Sequence, residues 1–365
     1  MRTYRCGAWW CPSEETQFST WDGTAEISVS NTSIHSKAGD SGDAISPWLR
    51  PDFSPHELVV SWNSSSSSGG AVEVFAQLRF DDTRVSDWLS FGRWSTDPAV
   101  SRGSRANQTN QQSRVLTDTV VCTEAFSAFR IRVALKGEIS VLGVSATWSD
   151  LKSIAFETTR MNTEPLSAEA CIVDDVPTCS QMVYPDGGNT WCSPTSLAMV
   201  MEYWNKTGRG CAECIHETRT GVYDPVYSGH GNWAFNVAWA GELGFTAGLV
   251  RFPDLKSLEP WIRAGIPLVL SVAWNNETGP VITNAPVTRS NGHLTVLVGF
   301  DEDGNAVMNE PASPSDDSVR RTYDRHELER CWLRASGGLC YVVHPKRIPP
   351  NSVDYSGGKA AIIAS

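Results

Sequence analysis

The chain has 365 residues and a formal net charge of −11, with 41% hydrophobic and 19% charged residues. This length predicts two domains, and an acidic chain without a basic cluster excludes nucleic acid as an expected partner. No apolar run reaches the roughly 18 residues that a transmembrane helix requires, so we expect no membrane partner.

Residues 1–155 have the pattern of an all-β accessory domain. Short β-branched or aromatic segments between Ser, Gly, Asn and Asp clusters predict strands at 58–62, 72–80, 115–122, 129–135 and 140–148. Because no helical pattern separates them, we expect a β-sandwich of jelly-roll type. Seven tryptophans fall in the first 94 residues. Their burial in a core explains them best, and a glycan contact by this domain is the alternative.

Residues 165–350 combine helical and strand patterns after a polar stretch near 150–165. A helix is predicted to follow Cys192, with further helices near 232–243 and 255–264. Strands are predicted at 268–273, 293–300, 306–309 and 340–344. Helices followed by an antiparallel sheet indicate an α+β domain.

Cys192 follows a glycine-rich turn and precedes an amphipathic helix. Its apolar stripe consists of Leu197, Val200, Met201 and Trp204. Thr190 can cap this helix. A thiol at a helix start experiences the positive end of the dipole, which favours the thiolate. The pattern therefore predicts a nucleophile, against the alternative of one more buried cysteine.

His293 is the candidate base for this thiol. It opens the strand HLTVLVGF, and the turn 301–305 returns the chain into the strand 306–309. The hairpin should bring His293 close to Asn309 and Glu310, which strand alternation places on opposite faces. We favour Asn309 as the residue that orients the imidazole, whereas a one-residue bulge before Pro311 would select Glu310 instead.

Gln181 lies 11 residues before Cys192, separated from it by a loop that can fold back. Acyl chemistry needs hydrogen-bond donors for a developing oxyanion. The side-chain amide of Gln181 and the backbone N–H of Cys192 could supply them.

The other nine cysteines suggest structural thiols or disulfides rather than a metal site. Close spacing favours the pairs Cys6–Cys11, Cys171–Cys179 and Cys331–Cys340. The run CAECIH at 211–216 resembles half a zinc site, but no second pair follows at zinc-binding spacing, so no metal or other cofactor is expected. The first residues lack the apolar core of a signal peptide, which favours the cytoplasm, while the cysteines and Asn-X-Ser/Thr sequons favour secretion.

Together these motifs resemble the papain-like cysteine peptidases. More narrowly, they resemble the branch related to the peptidases that cleave double-glycine leaders from bacteriocins. The resemblance covers about residues 175–345 and rests on Gln181, GGNTWCSPTSLAMVMEYW, GNWAFNVAWAG, GHLTVLVGF and MNEPAS. It implies that Cys192 is the nucleophile, His293 the base and Gln181 the oxyanion donor. The third family residue is an Asp before Pro, or an Asn in the papains, and Asn309-Glu310-Pro311 matches neither pattern completely.

The leading functional hypothesis is a thiol-dependent hydrolase that cleaves a peptide or amide bond through an acyl-thioester on Cys192. An acyl transferase would use the same Cys192, His293 and Asn309, with an amine or thiol in place of water. A second class is a retired peptidase-like domain joined to a glycan- or protein-binding sandwich. Cys192, His293 and Gln181 together favour an enzyme.

Overall fold

The computed structural model describes residues 2–13, 16–67, 69–151, 159–160, 165, 169–346 and 360–363. Five α-helices lie in these ranges: α1 Cys192–Asn205, α2 Cys211–Val222, α3 Trp233–Glu242, α4 Glu259–Arg263 and α5 Arg325–Ser336. None of the helices in this part of the chain combines the length and apolarity needed to cross a membrane.

The strands before the first helix are β1 Arg2–Thr3, β2 Cys6–Cys11, β3 Asp22–Gly23, β4 Ser28–Val29, β5 Ile34–Ser36, β6 Ser41–Ile45, β7 Trp48–Pro51, β8 Glu57–Ser66, β9 Ala71–Arg79, β10 Leu89–Trp94, β11 Ser113–Leu116, β12 Thr119–Cys122, β13 Ala128–Lys136, β14 Ile139–Ser149, β15 Thr159–Arg160 and β16 Cys171–Ile172. Those after it are β17 Phe245–Arg251, β18 Leu268–Asn275, β19 Arg289–Phe300, β20 Ala306–Asn309, β21 Arg320–Tyr323, β22 Leu339–Pro345 and β23 Ala360–Ile363.

The N-terminal region forms two seven-stranded sheets. The first has the order β10-β9-β13-β6-β3, with β7 beside β13 and β23 beside β7. The second has the order β11-β12-β8-β14-β5-β4, with β2 beside β14. Side chains from both sheets alternate into one hydrophobic core, which includes Trp62, Val74 and Trp148. The predicted all-β fold of this region is confirmed.

Most of the early tryptophans serve this core. Trp9, Trp21, Trp62 and Trp94 belong to it and are buried. Phe235 of α3 packs edge-on against Trp62 and Trp94, with ring centroids 6.3 and 5.2 Å apart. Aromatic packing therefore holds helix α3 against strands β8 and β10.

The chain divides into two compact units, and the division is not contiguous in sequence. One unit holds Arg5–Ser153, Tyr223–Leu249 and Tyr355–Ser365, and the other holds Met1–Tyr4, Ile154–Val222 and Val250–Asp354. The segment Tyr223–Leu249, expected in the second domain, groups with the strands, and Asn63 bonds the backbone of Ala247. The predicted limit at residue 155 lies outside the described residues, so the boundary between 155 and 165 stays a prediction.

The second unit is the mixed α/β domain that the sequence predicts. Its sheet has the order β17-β22-β18-β19-β20-β21, with β16 beside β19. β18, β19, β20 and β21 are antiparallel neighbours. Helix α1 packs against β19 and β22, and its Leu197, Val200 and Met201 are buried. This packing brings the start of α1 next to the strand that carries His293.

Candidate active site

The candidate nucleophile Cys192 is the first residue of helix α1, directly after a 3₁₀ turn over Gly188–Thr190. The first backbone N–H groups of a helix have no intrahelical partner and form its positive end. The expectation that Thr190 caps this helix is wrong. Trp191 occupies the N-cap position, its side chain does not cap the helix, and the Thr190 hydroxyl donates backwards to the carbonyl of Gly187 at 2.9 Å.

The structure brings His293 to Cys192. Burial alone raises the pKa of the Cys192 thiol, but the hydrogen bond and charge of His293 and the Leu294 backbone N–H hold this pKa below its usual value. Burial alone lowers the pKa of His293, but the charge of Glu310 and hydrogen bonds with Cys192 and Glu310 raise it. A lowered pKa of Cys192 beside a raised pKa of His293 favours a thiolate–imidazolium pair.

Glu310 is the residue that holds the His293 ring. Its Oε1 lies 2.5 Å from His293 Nε2, and its carboxylate is fully buried. Oε1 also accepts the Ala312 N–H at 2.8 Å, and Oε2 accepts the Tyr323 hydroxyl at 3.0 Å. Burial raises the pKa of Glu310, but His293 and these donors hold it below its usual value. Because Nε2 is bound to Glu310, Nδ1 is the ring nitrogen left for Cys192.

Asn309 does not contact His293, contrary to the preference from sequence. Its amide donates to the carbonyls of Val176 and Pro177 at 3.2 and 2.9 Å, and its Oδ1 accepts from Arg320 Nε at 2.6 Å. The side chain is buried on the face of the sheet opposite to the imidazole.

A β-bulge in β19 explains why Glu310 rather than Asn309 contacts His293. Phe300 pairs with Ala306 and Gly299 with Val307, but the register then shifts so that Val296 pairs with Asn309. Paired residues share a face, and His293 lies three positions from Val296, so it faces away from Asn309. Glu310, one residue after Asn309, then shares the face of His293. The bulge that selects Glu310 instead of Asn309 lies in β19 rather than before Pro311.

Gln181 is buried and is positioned by its backbone. Its N–H donates to the carbonyl of Pro311 at 2.8 Å, directly after Glu310. Its carbonyl oxygen approaches Gly188 so closely that a Cβ there would lie 2.0 Å away, which only glycine permits. Gln181 thus links the turn before Cys192 to the loop after Glu310. Its side-chain Oε1 is buried and finds no hydrogen-bond partner among the described residues.

Two aromatic residues complete the surroundings of His293 and were not predicted from sequence. The Trp274 ring meets the His293 ring edge to face, with centroids 5.2 Å apart, and is buried. It excludes water from one side of the imidazole, which strengthens the interaction with Glu310. Tyr323 donates to Glu310 from β21. The sequence RRTY of β21 has no apolar alternation, so it gave no strand signal.

The turn that presents Cys192 rests on a cluster around Trp191. The buried Trp191 ring lies 5.7 Å from that of Tyr184 and 5.6 Å from that of His216, between centroids. The guanidinium carbon of Arg219 lies 4.3 Å from its centroid. Helix α2 supplies His216 and Arg219, so it supports the position of the candidate nucleophile.

The cysteine pairing differs from the three pairs expected from close spacing. Among the described residues one disulfide forms, between Cys179 and Cys211, and it joins residues 32 positions apart. Cys6 and Cys11 lie five positions apart in the same strand, β2, so they cannot meet. Cys171 and Cys331 are not disulfide-bonded either. Since Cys211 is bonded to Cys179, it is not available as a zinc ligand, and no cluster of three or more metal-binding side chains occurs in the described ranges.

We expect this disulfide to stabilise the second unit. Closing a loop of about 30 residues contributes about 3 kcal/mol by restricting the unfolded chain. The double variant Cys179→Ser/Cys211→Ser should therefore unfold at a temperature several degrees lower in calorimetry. Cys171→Ser is the matched control, because Cys171 is a partly exposed thiol outside any disulfide. Equal unfolding temperatures for the double variant and the parent would contradict the expectation.

Comparison with known proteins finds two family models along the chain. The model of the peptidase C39-like family matches residues 173–340, and that of the peptidase C39 N-terminal domain matches residues 8–141. A structure described as a C39-like peptidase from Bacillus anthracis is 20% identical and covers 49% of this chain and 100% of its own, with a TM-score of 0.35.

Two further solved structures show weaker similarity. The glycosylation-associated Gap123 complex from Streptococcus agalactiae is 7% identical, with 40% of this chain and 26% of that chain covered and a TM-score of 0.26. Carbohydrate-binding modules of the β-sandwich superfamily are 11% identical, with 38% and 58% covered and a TM-score of 0.20. No curated protein matches the chain. The match over 173–340 encloses Cys192, His293 and Glu310, and this part of the chain is therefore a peptidase C39-like domain.

Proposed function

We propose that the chain hydrolyses a peptide or amide bond through an acyl-thioester on Cys192. The observation that carries this proposal is the position of buried His293 between the thiol and the buried Glu310 carboxylate. A retired peptidase has no requirement for a pair of groups whose pKa values are shifted in opposite directions.

The arrangement supports the following sequence of steps. The Cys192 thiolate attacks the substrate carbonyl carbon, while His293 holds the proton that left the thiol. We assign the Cys192 N–H and the side-chain amide of Gln181 as the donors to the oxyanion. The imidazolium then protonates the leaving amine, and neutral His293 activates the water that cleaves the thioester. Glu310 stabilises the charge on the ring throughout, in the role the sequence assigned to Asn309.

A peptide library with product masses tests both the reaction and its class. We expect the full chain to yield shorter peptides whose summed masses exceed the substrate mass by one water. Cys192→Ala should yield none, while Cys171→Ser should retain the activity of the parent. Products in which the acyl part of one peptide is joined to the amine of another would replace hydrolysis by acyl transfer. Equal cleavage by Cys192→Ala and the parent would exclude Cys192 as the nucleophile.

A further inference from the structure

The outer face of the sheet containing β9 and β13 carries a cluster of arginines and aromatic rings. Val74, Ala76 and Leu78 of β9 point into the core. The alternate residues of β9, and those of β13, are half-buried and point outward. We define the arginine face as Arg79, Arg130 and Arg132 together with the rings of Trp48, Trp88 and Phe75.

Each guanidinium of the arginine face lies over at least one ring. Arg79 and Arg130 share Trp48, at 4.1 and 4.7 Å from its centroid. Arg130 and Arg132 share Trp88, at 5.2 and 5.0 Å. Arg132 also lies 4.1 Å from the centroid of Phe75. Stacking fixes the three planar groups, so their hydrogen-bond donors are pre-organised.

The positive charge of this face exceeds the negative charge around it. Arg132 pairs with Asp43 at 3.5 Å, and Arg130 donates to the neutral Gln77 amide at 2.9 Å. Within the described ranges, no carboxylate forms an ion pair with Arg79 or Arg130. Burial and then the charge of Arg79 lower the pKa of Arg130, so like charges are held together here. Such a concentration of cations is unusual in a chain of net charge −11.

The backbone of the arginine face is not free to recognise a peptide. β9 pairs with β10 on one side and β13 on the other, and β13 pairs with β9 and β6. An added peptide strand needs an unpaired sheet edge, which neither strand offers. Recognition must therefore come from the side chains. Guanidinium forks bind carboxylates with two parallel hydrogen bonds.

We propose that the arginine face binds an anionic polysaccharide through carboxylate groups spaced along its chain. Arg130 and Arg132 are two residues apart in one strand, about 7 Å between their Cα atoms, so each guanidinium can bind a different carboxylate of the same polysaccharide chain. The rings lie beneath guanidinium groups, so the face selects charge rather than the apolar side of a neutral sugar. Binding by the accessory domain would be independent of the chemistry at Cys192.

Titration calorimetry of the full chain with polygalacturonate, hyaluronate and alginate tests this proposal. We expect at least one of them to bind, and binding to weaken as salt is added. Methyl-esterified polygalacturonate, which lacks the charge, should not bind. Arg130→Gln should weaken binding about tenfold or more, as expected for loss of a charge-assisted hydrogen bond. Arg130→Lys should recover only part of the affinity, because lysine lacks the planar fork.

Arg114→Gln is the matched control, since Arg114 is an exposed arginine of β11 in the other sheet. It should bind like the parent. Calorimetric unfolding of each variant separates lost binding from lost folding. Binding to none of the three polysaccharides, equal binding of the methyl ester, or equal weakening by Arg114→Gln would overturn the proposal. Equal or tighter binding of poly-glutamate or single-stranded DNA would also overturn it, because the face would then select polyanions or peptides in general.

Discussion

Replacing His293 by alanine should abolish turnover and return Cys192 to the behaviour of an ordinary thiol. The loss should be on the order of 10⁶-fold in kcat, as for removal of the base from other nucleophile–base pairs. His293 supplies both the hydrogen bond and the positive charge that lower the pKa of Cys192. Without them only the Leu294 N–H opposes the effect of burial, so the thiol regains its proton at neutral pH.

The pH dependence of alkylation measures this directly. In the parent, the lowered pKa of Cys192 should make its iodoacetamide rate fall less steeply between pH 8 and pH 6 than the rate of an ordinary thiol. A reference thiol such as N-acetylcysteine, with an ordinary pKa of about 8.5, loses roughly 75-fold of its thiolate over the same interval. His293→Ala should follow the reference or fall below it. Mass spectrometry assigns the label to Cys192. A parent profile as steep as that of the reference would contradict a thiolate–imidazolium pair.

The local parts of the site could be predicted from the sequence. Cys192 is recognisable because a glycine-rich turn and an apolar stripe of helical period adjoin it in the chain. His293 is recognisable because its strand and the return strand β20 are joined by a short turn. In both cases the residues that determine the geometry lie within about 20 positions of each other, so a short-range pattern was sufficient.

The identity of the orienting residue depended on a single irregularity. Without the bulge between Leu297 and Gly299, the register that begins at Phe300 and Ala306 would pair Leu297 with Asn309. Asn309 would then share a face with His293, as expected from alternation alone. Nothing in LTVLVGF marks which residue is extra. The sequence could therefore state the two alternatives and could not choose between them.

Two helices and the disulfide were missed for a different reason. In α2, CAECIHETRTGV, the only strongly apolar residues are Ile215 and Val222, and its inward face is completed by Cys214 and Thr218. Helix α5 begins after Asp324, which caps it by accepting from the Glu327 N–H, but its sequence RHELERCWLRAS is mostly polar. Cys179 and Cys211 meet because α2 packs against α1, which spacing along the chain does not reveal.

Glu310→Gln should lower kcat/KM far more than Asn309→Ala. Glutamine retains the shape of Glu310 but not its charge. Burial lowers the pKa of His293, and the Glu310 charge makes the largest contribution that raises it. We expect a loss of about 10²–10⁴-fold, the range for impaired general acid–base catalysis. Asn309→Ala removes hydrogen bonds to Val176, Pro177 and Arg320 and should cost about 1–3 kcal/mol of stability. The turnover of its folded fraction should stay near that of the parent.

The acid unfolding of the two variants provides a second readout. The pKa of Glu310 is lower in the folded protein, so its stabilisation is present above the unfolded value of about 4.3 and is lost as pH falls through the folded value. Glu310→Gln should therefore flatten the dependence of stability on pH in the acid range, whereas Asn309→Ala should shift the whole curve downward without changing its slope. Tyr323→Phe, which removes one donor to the carboxylate, should have an effect on kcat/KM smaller than that of Glu310→Gln. If Asn309→Ala reduced turnover as much as Glu310→Gln at equal folded fraction, the assignment of Glu310 as the residue that orients His293 would be wrong.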